Sequence, residues 1–208
     1  MPNDPLSASD QSPLSASDQS PLSASDQSLV AAALRNGQAY GPLVTRFAPV
    51  LGRYVRRLLG SQNHAVDDVL QEVFLKAYVN LNDYDMARPF GPWIYRIAHN
   101  EAISHLRKSS AGPPMVTGED SELILARLAD GDDPHQALWR SQSAGHLRKA
   151  LGGLDARYRE VLVLRYLEEK SYDEISDILR LPPGTVATYI SRGLARLREP
   201  LDTAWGTR

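Results

Sequence analysis

An aromatic ring, two arginines and an amide recur at helical spacing between residues 90 and 108, where they could bind nucleic acid. Trp93, Arg96, Asn100 and Arg107 lie on adjacent stripes of the helix that this segment predicts. An aromatic side chain beside arginines and an amide can stack on unpaired bases and hold phosphates. Packing in the core is the alternative for Trp93, and the spacing alone favours it.

A second group of polar side chains lies on a helix predicted to begin near Pro183. The buried side of this helix is an apolar stripe at helical spacing, formed by Val186, Ile190, Leu194 and Leu197. Short hydroxyl groups and arginines on the other side would suit the major groove of DNA. That side carries Thr185, Thr188, Tyr189, Arg192 and Arg196. A solvated amphipathic helix is the alternative.

The segment before this helix has the pattern of a helix-turn-helix unit. Ser171-Tyr-Asp-Glu174 is a capping-box sequence, which predicts the start of a helix that continues through Ile175 and Ile178. Leu181-Pro182 indicates a tight turn. A helix, a tight turn and a second helix form the plan that places the second helix in the major groove.

The helix predicted from Val66 to about Leu81 has an acidic and partly apolar outer side. One of its stripes is apolar throughout and is expected to lie in the core. The opposite side sets two aliphatic residues among acidic and amide groups, which suits a partner surface. Its members are Asp68, Gln71, Glu72, Leu75 and Val79. Two exposed aliphatic residues can also occur without any partner.

Residues for catalysis or metal binding do not occur in a recognised arrangement. The five histidines form no helical zinc motif such as H-E-x-x-H, and a glycine-rich phosphate loop and a G-x-S-x-G motif are absent. Asp67 and Asp68 follow His64, but acids at the start of a helix are explained by the helix dipole. We therefore expect no enzymatic activity, no metal and no cofactor.

The composition predicts a soluble chain without membrane insertion. The apolar runs are shorter than the roughly 18 residues of a transmembrane helix. The N-terminus lacks the basic start and apolar block of a signal peptide. The absence of cysteine fits a reducing cytoplasm, so we expect a cytoplasmic location.

Charge is distributed unevenly along the chain, although the net charge is only −2. The N-terminal block 1–28 carries −4 and the next block, 29–108, carries +4. Residues 109–133 carry −5, and residues 134–208 carry +3. Basic blocks favour a polyanion such as DNA, although charges of this size are also common on small domains.

The patterns together predict an all-α protein with two small helical domains joined by an acidic flexible linker. Residues 1–28 include three perfect copies of PLSASDQS. We predict that they are disordered, because one large apolar residue per copy cannot offset the ordering entropy. The domains would span 29–108 and 134–200, the second being a four-helix helix-turn-helix domain. The linker would be 109–133, and a tail would follow at 201–208.

These segments resemble the sigma factors of bacterial RNA polymerase, in the extracytoplasmic-function (ECF) group. Asp68-Val-Leu-Gln-Glu72, followed by Val73-Phe74, is similar to the polymerase-clamp helix of that group. A second set of residues is similar to the promoter-melting helix of that group: Phe90, Trp93, Arg96-Ile-Ala98, Asn100 and Ala102-Ile103 to Leu106-Arg107. A third set is similar to its −35-binding domain: Leu154, Tyr158-Arg159-Glu160-Val161, Ser171-Tyr172, Glu174-Ile175, Leu181, Gly184-Thr185-Val186 and Ser191-Arg192.

The resemblance implies a role for each surface. The acidic and apolar face would dock on the largest polymerase subunit, and the helix with Trp93 would hold the non-template DNA strand. The helix that begins near Pro183 would read −35 DNA. The loop of residues 80–89 would receive a flipped base of the −10 element, at a cost of a few kcal/mol that stacking and hydrogen bonds offset. Its binding residues would be Asn80, Asn82, Asp83, Tyr84 and Arg88.

Two single positions and one tripeptide depart from the pattern of the group. Ser104 and Gly91 stand where aspartate and arginine are frequent. Ala187-Thr188-Tyr189 stands where Lys-Ser-Arg is frequent. The recognition helix therefore lacks two basic contacts, which predicts weaker dependence on phosphate contacts and a shallower salt slope for −35 binding.

As a whole, the resemblance implies a factor that binds core RNA polymerase, recognises promoter DNA and nucleates melting. It further implies a stress or envelope regulon and a dedicated anti-sigma factor. The alternatives are a polymerase-independent helix-turn-helix repressor or activator and a metal hydrolase. The segment from Asp67 to Lys108 discriminates among them, because a simple repressor needs neither a docking face nor a single-strand reader.

Overall fold

The regular structure is helical throughout the part of the chain that the computed structural model describes. It describes residues 25–59, 64–109, 124, 151 and 153–205, with side chains as far as residue 197. The helices are α1 (Asp26–Arg35), α2 (Gly41–Leu59), α3 (Val66–Val79), α4 (Phe90–Lys108), α5 (Ala156–Leu162), α6 (Tyr172–Leu179) and α7 (Pro183–Trp205). The predicted all-α fold class is confirmed.

Helix α4 is the centre of the N-terminal half. Its apolar stripe is formed by Phe90, Ile94, Ala98 and Ala102, none of which is more than 1% exposed. Helices α2 and α3 both pack against α4. On the α2 side, the ring centroid of Phe47 lies 5.2 Å from that of Phe90. Burial of one α4 stripe thus holds three helices together.

Helix α3 buries the stripe that the sequence predicts. Val66, Val69, Val73 and Ala77 are buried, and Leu81 is buried as well. The helix ends two residues earlier than expected, at Val79, and the chain continues as a 3₁₀ turn over Leu81–Asp83. The tighter turn keeps Leu81 in the core while the backbone leaves the helix axis.

The end of the third octapeptide copy belongs to the folded structure, so the prediction of disorder through residue 28 is wrong there. The hydroxyl of Ser25 caps α1 by accepting a hydrogen bond from the Ser28 amide at 3.2 Å. Asp26 pairs with Arg46 of α2 at 2.8 Å. The buried Leu29 follows this copy, whereas proline follows the first two; proline lacks the amide that a helix needs there. Residues 1–24 lie outside the described residues.

The helix-turn-helix unit forms as predicted. The amide of Glu174 donates to the Ser171 hydroxyl at 3.2 Å, and the Ser171 amide donates to the Glu174 carboxylate at 2.8 Å, which completes the capping box. Helix α6 ends at Arg180, whose φ of 54° and ψ of 43° are left-handed. This conformation reverses the chain direction within a few residues and leads into α7.

The C-terminal boundary differs from the prediction. Helix α7 continues to Trp205, into the predicted tail at 201–208. Helical backbone can thus extend past Leu197, the last residue of the predicted apolar stripe. The predicted first helix of this domain and nearly all of the predicted linker lie outside the described residues.

The N-terminal half (α1–α4) and the C-terminal half (α5–α7) contact each other through the end of α5. Helix α5 continues as a π-helical segment, Val163–Leu167, and the side chain of the next residue, Glu168, is only 3% exposed. The Tyr95 hydroxyl of α4 donates to the Glu168 carboxylate at 2.9 Å, and Arg57 of α2 pairs with the same carboxylate. The ammonium of Lys170 lies 4.4 Å from the centroid of the Tyr95 ring.

A histidine and a glutamate in the same interface have opposite pKa shifts. The Nδ1 atom of His99 lies 3.0 Å from the Tyr54 hydroxyl, and its Nε2 atom lies 3.9 Å from Glu160. Burial, with a smaller contribution from Arg107, lowers the pKa of His99 to about 4. Burial raises the pKa of Glu160 to about 7, although Arg159 and Arg107 oppose the shift. The imidazole is therefore neutral at pH 7, and the 3.9 Å contact is not an ion pair.

These shifts make opposite contributions to the dependence of stability on pH. The raised pKa of Glu160 contributes stability that is present below its ordinary value of 4.5 and is lost as pH rises through about 7. The lowered pKa of His99 contributes stability that is present above 6.5 and is lost as pH falls through about 4. Between about pH 4.5 and pH 6.5 the two contributions to the free energy of unfolding change with pH in opposite directions and offset each other.

The change Glu160→Gln should therefore make the protein more sensitive to acid. Only His99 then titrates in this pair, so the free energy of unfolding should fall from about pH 7 to about pH 5 more steeply than in wild type, by up to about 1.4 kcal/mol per pH unit. Urea titrations at several pH values measure the difference between the two slopes. Parallel curves for the two proteins would contradict the prediction.

Candidate nucleic-acid interface and docking face

The acidic and apolar side of α3 is open to solvent as predicted. We call Asp68, Gln71, Glu72, Leu75 and Val79 the docking face; all five are exposed. Leu75 is 55% exposed and Val79 is 67% exposed. Aliphatic side chains this open, next to one another on a helix whose other side is buried, are typical of a partner surface.

Tyr78 also lies at the docking face, and the sequence reasoning missed it. Its side chain is 47% exposed, and its ring meets that of Tyr40 edge-on, with 5.1 Å between centroids. A Cβ on Gly37 would lie 2.5 Å from the Tyr78 hydroxyl, so the 3₁₀ turn after α1 closes tightly on this ring. The signal in the sequence was its position three residues after Leu75.

Trp93 combines the two roles that the sequence left open. Its ring centroid lies 5.3 Å from that of Tyr84 and 5.3 Å from that of Phe90, so part of the indole packs on the core. The remainder is accessible and borders an open cavity. The cavity is lined by Asp83, Tyr84, Asp85, Arg88, Pro89, Pro92, Trp93, Arg96 and Asp177.

The loop between α3 and α4 is tightly built, and it buries one residue that was predicted to bind DNA. Tyr84 is only 6% exposed, and its hydroxyl donates to the backbone carbonyl of Arg88. The Asp85 carboxylate accepts from the Ala87 amide at 2.9 Å. Tyr84, which was predicted to bind −10 DNA, is thus largely covered by the neighbouring rings of Phe90 and Trp93. Its hydroxyl fixes the loop that carries Arg88.

The other polar residues of the loop differ in their availability. The Asn80 amide donates to the Lys76 carbonyl at 2.7 Å and so closes the end of α3. Asn82 and Asp83 are exposed, and Asp83 lines the cavity with Arg88. The structure therefore places Asp83 and Arg88 beside Trp93, whereas the amide nitrogen of Asn80 is already engaged by the backbone.

Both signs of charge meet around the cavity. Arg88 lies 3.6 Å from the Asp85 carboxylate and 3.7 Å from the Asp177 carboxylate of α6. Partial burial lowers the pKa of Arg96, and the nearby Arg180 and Arg88 lower it further, while Asp177 opposes them. Arg88 and Arg96 thus share the lining of the cavity with three carboxylates, those of Asp83, Asp85 and Asp177.

The polar side of α4 extends beyond the cavity. Asn100 and Arg107 are exposed, and they lie about 6 Å and about 16 Å from Arg96 along the helix axis, at 1.5 Å per residue. We call Trp93, Arg96, Asn100 and Arg107 the α4 polar face. The structure brings Trp93 and Arg96 to the cavity and sets the other two farther along the same helix.

The predicted binding residues of α7 are only partly available. Thr188 donates its hydroxyl to the Gly184 carbonyl at 2.7 Å. Tyr189 is half-buried and packs edge-on against Tyr158, with 5.5 Å between centroids. Thr185 is half-buried. Arg192 is exposed.

Arg196 is engaged within the protein. Its guanidinium lies 3.1 Å from the Asp155 carboxylate and 4.7 Å from the centroid of the Tyr158 ring. Asp155 stands at the N-cap position of α5, but its carboxylate bonds Arg157 and Arg196 instead of the helix amides. Arg196 therefore ties α7 to the start of α5.

Neither a metal site nor a membrane-spanning helix occurs among the described residues. Histidine, aspartate and glutamate do not cluster there in any group that could hold a metal ion. Within the same ranges, each helix is too short or too polar to span a membrane.

Known proteins similar to this chain share both halves. The family of Sigma-70 region 2 matches residues 43–111, and that of Sigma-70 region 4 matches residues 145–197. The ECF RNA polymerase sigma factor SigW of Bacillus subtilis is 34% identical, over 78% of this chain and 89% of its own length. The RNA polymerase sigma factor CnrH of Cupriavidus metallidurans is 32% identical, over 82% of this chain and 91% of its own.

Solved structures agree with this fold. The structure of CnrH in complex with the cytosolic domain of CnrY matches with a TM-score of 0.59 and 29% identity, over 86% of this chain and 97% of that chain. The sigma factor RpoE of Bartonella quintana, solved with the anti-sigma factor NepR, has the same fold, with a TM-score of 0.55 and 24% identity over 78% of this chain and 96% of that chain.

The fold and the matched regions define a transcription initiation factor with two helical domains. The chain belongs to the ECF group of bacterial RNA polymerase sigma factors, so it recognises promoter DNA and acts with core RNA polymerase to start transcription. The family expected from the sequence is confirmed. A polymerase-independent repressor would have no need of Sigma-70 region 2.

Arg196 and Arg192 lie about one turn apart on α7 but should differ in their effect on stability. Arg196→Ala removes the contacts to Asp155 and to the buried Tyr158 ring. Because the Arg196 and Asp155 side chains are about half-exposed, we expect a loss of only about 0.5–1 kcal/mol and a fall of several degrees in Tm. Arg192→Ala should stay within about 0.5 kcal/mol of wild type. Thermal unfolding of both variants measures this, and equal Tm values would mean that the Arg196 contacts contribute nothing.

Proposed function

We propose that the docking face binds the largest subunit of core RNA polymerase. The observation that carries this proposal is the exposure of Leu75 and Val79 among acidic and amide groups. Their helix is held rigidly by its buried stripe, so little conformational entropy is lost when a partner covers the outer side. Tyr78 extends the apolar part of the face and joins the proposed contact.

The double change Leu75→Ala and Val79→Ala should weaken binding to core polymerase by roughly thirtyfold or more, because each methyl or methylene group that is no longer buried in the interface costs about 0.8 kcal/mol. Its Tm should stay near that of wild type, since both residues are exposed. Fluorescence anisotropy with labelled protein measures the affinity. Leu34→Ala, at the exposed leucine of α1, is the matched control. A similar loss in the control would contradict a specific role for α3.

We infer that the α4 polar face, with Asp83, Arg88 and Asn82 of the preceding loop, holds the non-template strand of the −10 element. The carrying observation is the half-exposed indole of Trp93 beside a cavity that Arg88 and Arg96 also line. An aromatic face next to guanidinium groups suits an unstacked base and its phosphate. Asn100 and Arg107 would follow the strand along the helix. The proposed part of Tyr84 is to position the loop.

Trp93→Ala should impair open-complex formation while leaving binding to core polymerase nearly unchanged. Stacking on one aromatic side chain is worth about 1–3 kcal/mol per base, which predicts a loss of roughly five- to a hundredfold in open-complex formation. Trp93→Phe is the control, since it keeps an aromatic ring against Tyr84 and Phe90. Permanganate reactivity of promoter thymines reports melting. Equal loss of melting and of polymerase binding in the alanine variant would mean that Trp93 acts mainly in the core.

For α7, we propose that it reads −35 DNA through Thr185, Thr188 and Arg192, with Tyr189 and Arg196 in secondary roles. Arg192 is exposed, whereas Arg196 would have to leave Asp155 to reach DNA. Because Asp155 already engages Arg196, less positive charge on this side is available to phosphates, which supports the expectation of a shallow salt slope. The proposed functional division of the chain is 29–108 for the −10 and polymerase contacts and 134–200 for the −35 contact, with residues 26–28 added to the first.

Regulation of this factor is proposed to come from a dedicated anti-sigma factor. The support is that CnrH, a relative with 32% identity, has been solved with the cytosolic domain of CnrY. We further propose a cytoplasmic location, a stress or envelope regulon and no catalysis by the factor itself, in keeping with its role as an initiation factor.

A further inference from the structure

A short 3₁₀ turn between α1 and α2 lies against one edge of the docking face. The turn spans Gly37–Tyr40, and it precedes residues 43–111, the range that matches Sigma-70 region 2. The Tyr40 hydroxyl donates a hydrogen bond to the Phe74 carbonyl of α3 at 2.9 Å. The Tyr40 ring meets the Tyr78 ring edge-on, with 5.1 Å between centroids and 70° between the ring planes. The turn is therefore attached to the side of α3 that carries Tyr78.

Local hydrogen bonds and α1 hold this turn in place. The side-chain oxygen of Asn36 accepts from the Gln38 amide at 3.1 Å, and the Ala39 amide donates to the Asn36 carbonyl at 2.8 Å. Helix α1 buries its apolar side in the core, and its Asp26 pairs with Arg46 of α2 at 2.8 Å. The turn thus has a position of its own, against which the Tyr78 side chain packs.

Glycine at position 37 allows the Tyr78 ring to lie as close to the turn as it does. A Cβ on Gly37 would lie 2.5 Å from the Tyr78 hydroxyl oxygen, but 3.4 Å from the ring carbon that bears the hydroxyl. The φ of Gly37 is outside the left-handed region, so alanine would strain this contact and not the backbone. Because Tyr78 is 47% exposed, its ring can move aside, and the added methyl group would displace it at little cost in stability.

The position of this ring matters for a partner that covers the docking face. Tyr78 follows Leu75 by three residues, which makes the two side chains neighbours on the surface of α3. Tyrosine is enriched among the residues that dominate the binding energy of interfaces. Ordering a mobile side chain on binding costs free energy, and a ring that its neighbours already hold avoids much of this cost. A partner that covers Leu75 and Val79 therefore meets an ordered ring beside them.

We infer that the turn Gly37–Tyr40 is a positioning element of the polymerase-binding surface, in which Gly37 and Tyr40 hold the Tyr78 ring in the orientation that core RNA polymerase contacts. Polymerase binding thus depends on a segment that lies before the Sigma-70 region 2 match. Gly37 and Tyr40 act through Tyr78 and need no contact with the polymerase themselves. This inference rests on the proposed docking face, but the position of the ring can be measured without polymerase.

The change Gly37→Ala in the full-length protein tests the inference. It should displace the Tyr78 ring and weaken binding to core polymerase by roughly three- to tenfold, the effect of losing one ordered side chain at an interface. The Tm should stay near that of wild type, because the ring can move. Gly41→Ala is the matched control, since a methyl group there has no atom within 4 Å. Fluorescence anisotropy with labelled protein measures the affinities.

Tyr78→Phe provides a rescue, because it removes the hydroxyl group that the added methyl group would meet. In the Tyr78→Phe background, Gly37→Ala should change the affinity for core polymerase by less than about twofold, as expected for changes that no longer interact. A merely structural role for Gly37 would instead reduce the affinity equally in both backgrounds.

NMR spectra of the protein with isotope-labelled tyrosine report the ring directly. The Tyr78 signal is the one that disappears in Tyr78→Phe, and it should shift in Gly37→Ala but not in Gly41→Ala. Tyr40→Phe keeps the ring but removes the hydroxyl donor to the Phe74 carbonyl. It should therefore shift the Tyr78 signal and weaken polymerase binding in the same direction as Gly37→Ala. Thermal unfolding verifies that each variant is folded.

An unshifted Tyr78 signal in Gly37→Ala would overturn the inference, and so would wild-type affinity for core polymerase. Equal loss of affinity in the two backgrounds would overturn it as well. The double change Leu75→Ala and Val79→Ala separates these failures from that of the docking face. If the double change weakens binding and Gly37→Ala does not, the docking face stands and the positioning role is wrong. If neither weakens binding, the proposed docking face has failed.

Discussion

Burial of one stripe of α4 is the constraint on which the rest of the structure depends. Phe90, Ile94, Ala98 and Ala102 recur every four residues and are almost completely hidden. The two alanines leave room for neighbouring helices to approach closely, so α2 and α3 can pack on the same side. Because a helix of this length has one apolar stripe, its other sides can carry polar groups without loss of the core.

That division explains how one short helix can serve several partners. Its buried side holds the N-terminal half together, and the side with Trp93 and Arg96 borders an open cavity. Tyr95, between these two sides, donates to a carboxylate of the other half. The docking face on α3 follows the same rule, since the buried stripe of α3 keeps Leu75 and Val79 fixed in solvent. In both helices the core positions a surface that a flexible loop could not hold.

Carboxylates set the relation between the two halves. Glu168 is buried, so it is stable only with Arg57 and Tyr95 in place, whereas Asp177 stays partly open beside Arg88. Contacts of this kind can separate more readily than an apolar core, because each charged group regains water when it leaves. A sigma factor must place its two DNA-binding halves on a promoter, and a polar contact between them is compatible with that movement.

The sequence alone predicted the features that depend on neighbours along the chain. Periodicity predicted the buried stripes of α3 and α7, and the Ser171–Glu174 capping box was predicted from four consecutive residues. Local patterns also marked the docking face, since the exposed side of a helix follows from its buried side. The errors at the ends of elements, at residue 28 and in the tail at 201–208, came from packing and helix extension that these patterns do not encode.

Only the tertiary structure decided which polar side chains are free. Tyr84 had the residue type of a base-binding side chain, but neighbouring rings bury it and leave its hydroxyl to fix the loop. Tyr78 had the type of a core residue, yet it lies in solvent beside Val79. Glu168 looked like a surface residue, but it contacts Tyr95, 73 positions earlier. Helical periodicity describes a few turns at most, so it determined the faces of each helix but not which faces meet.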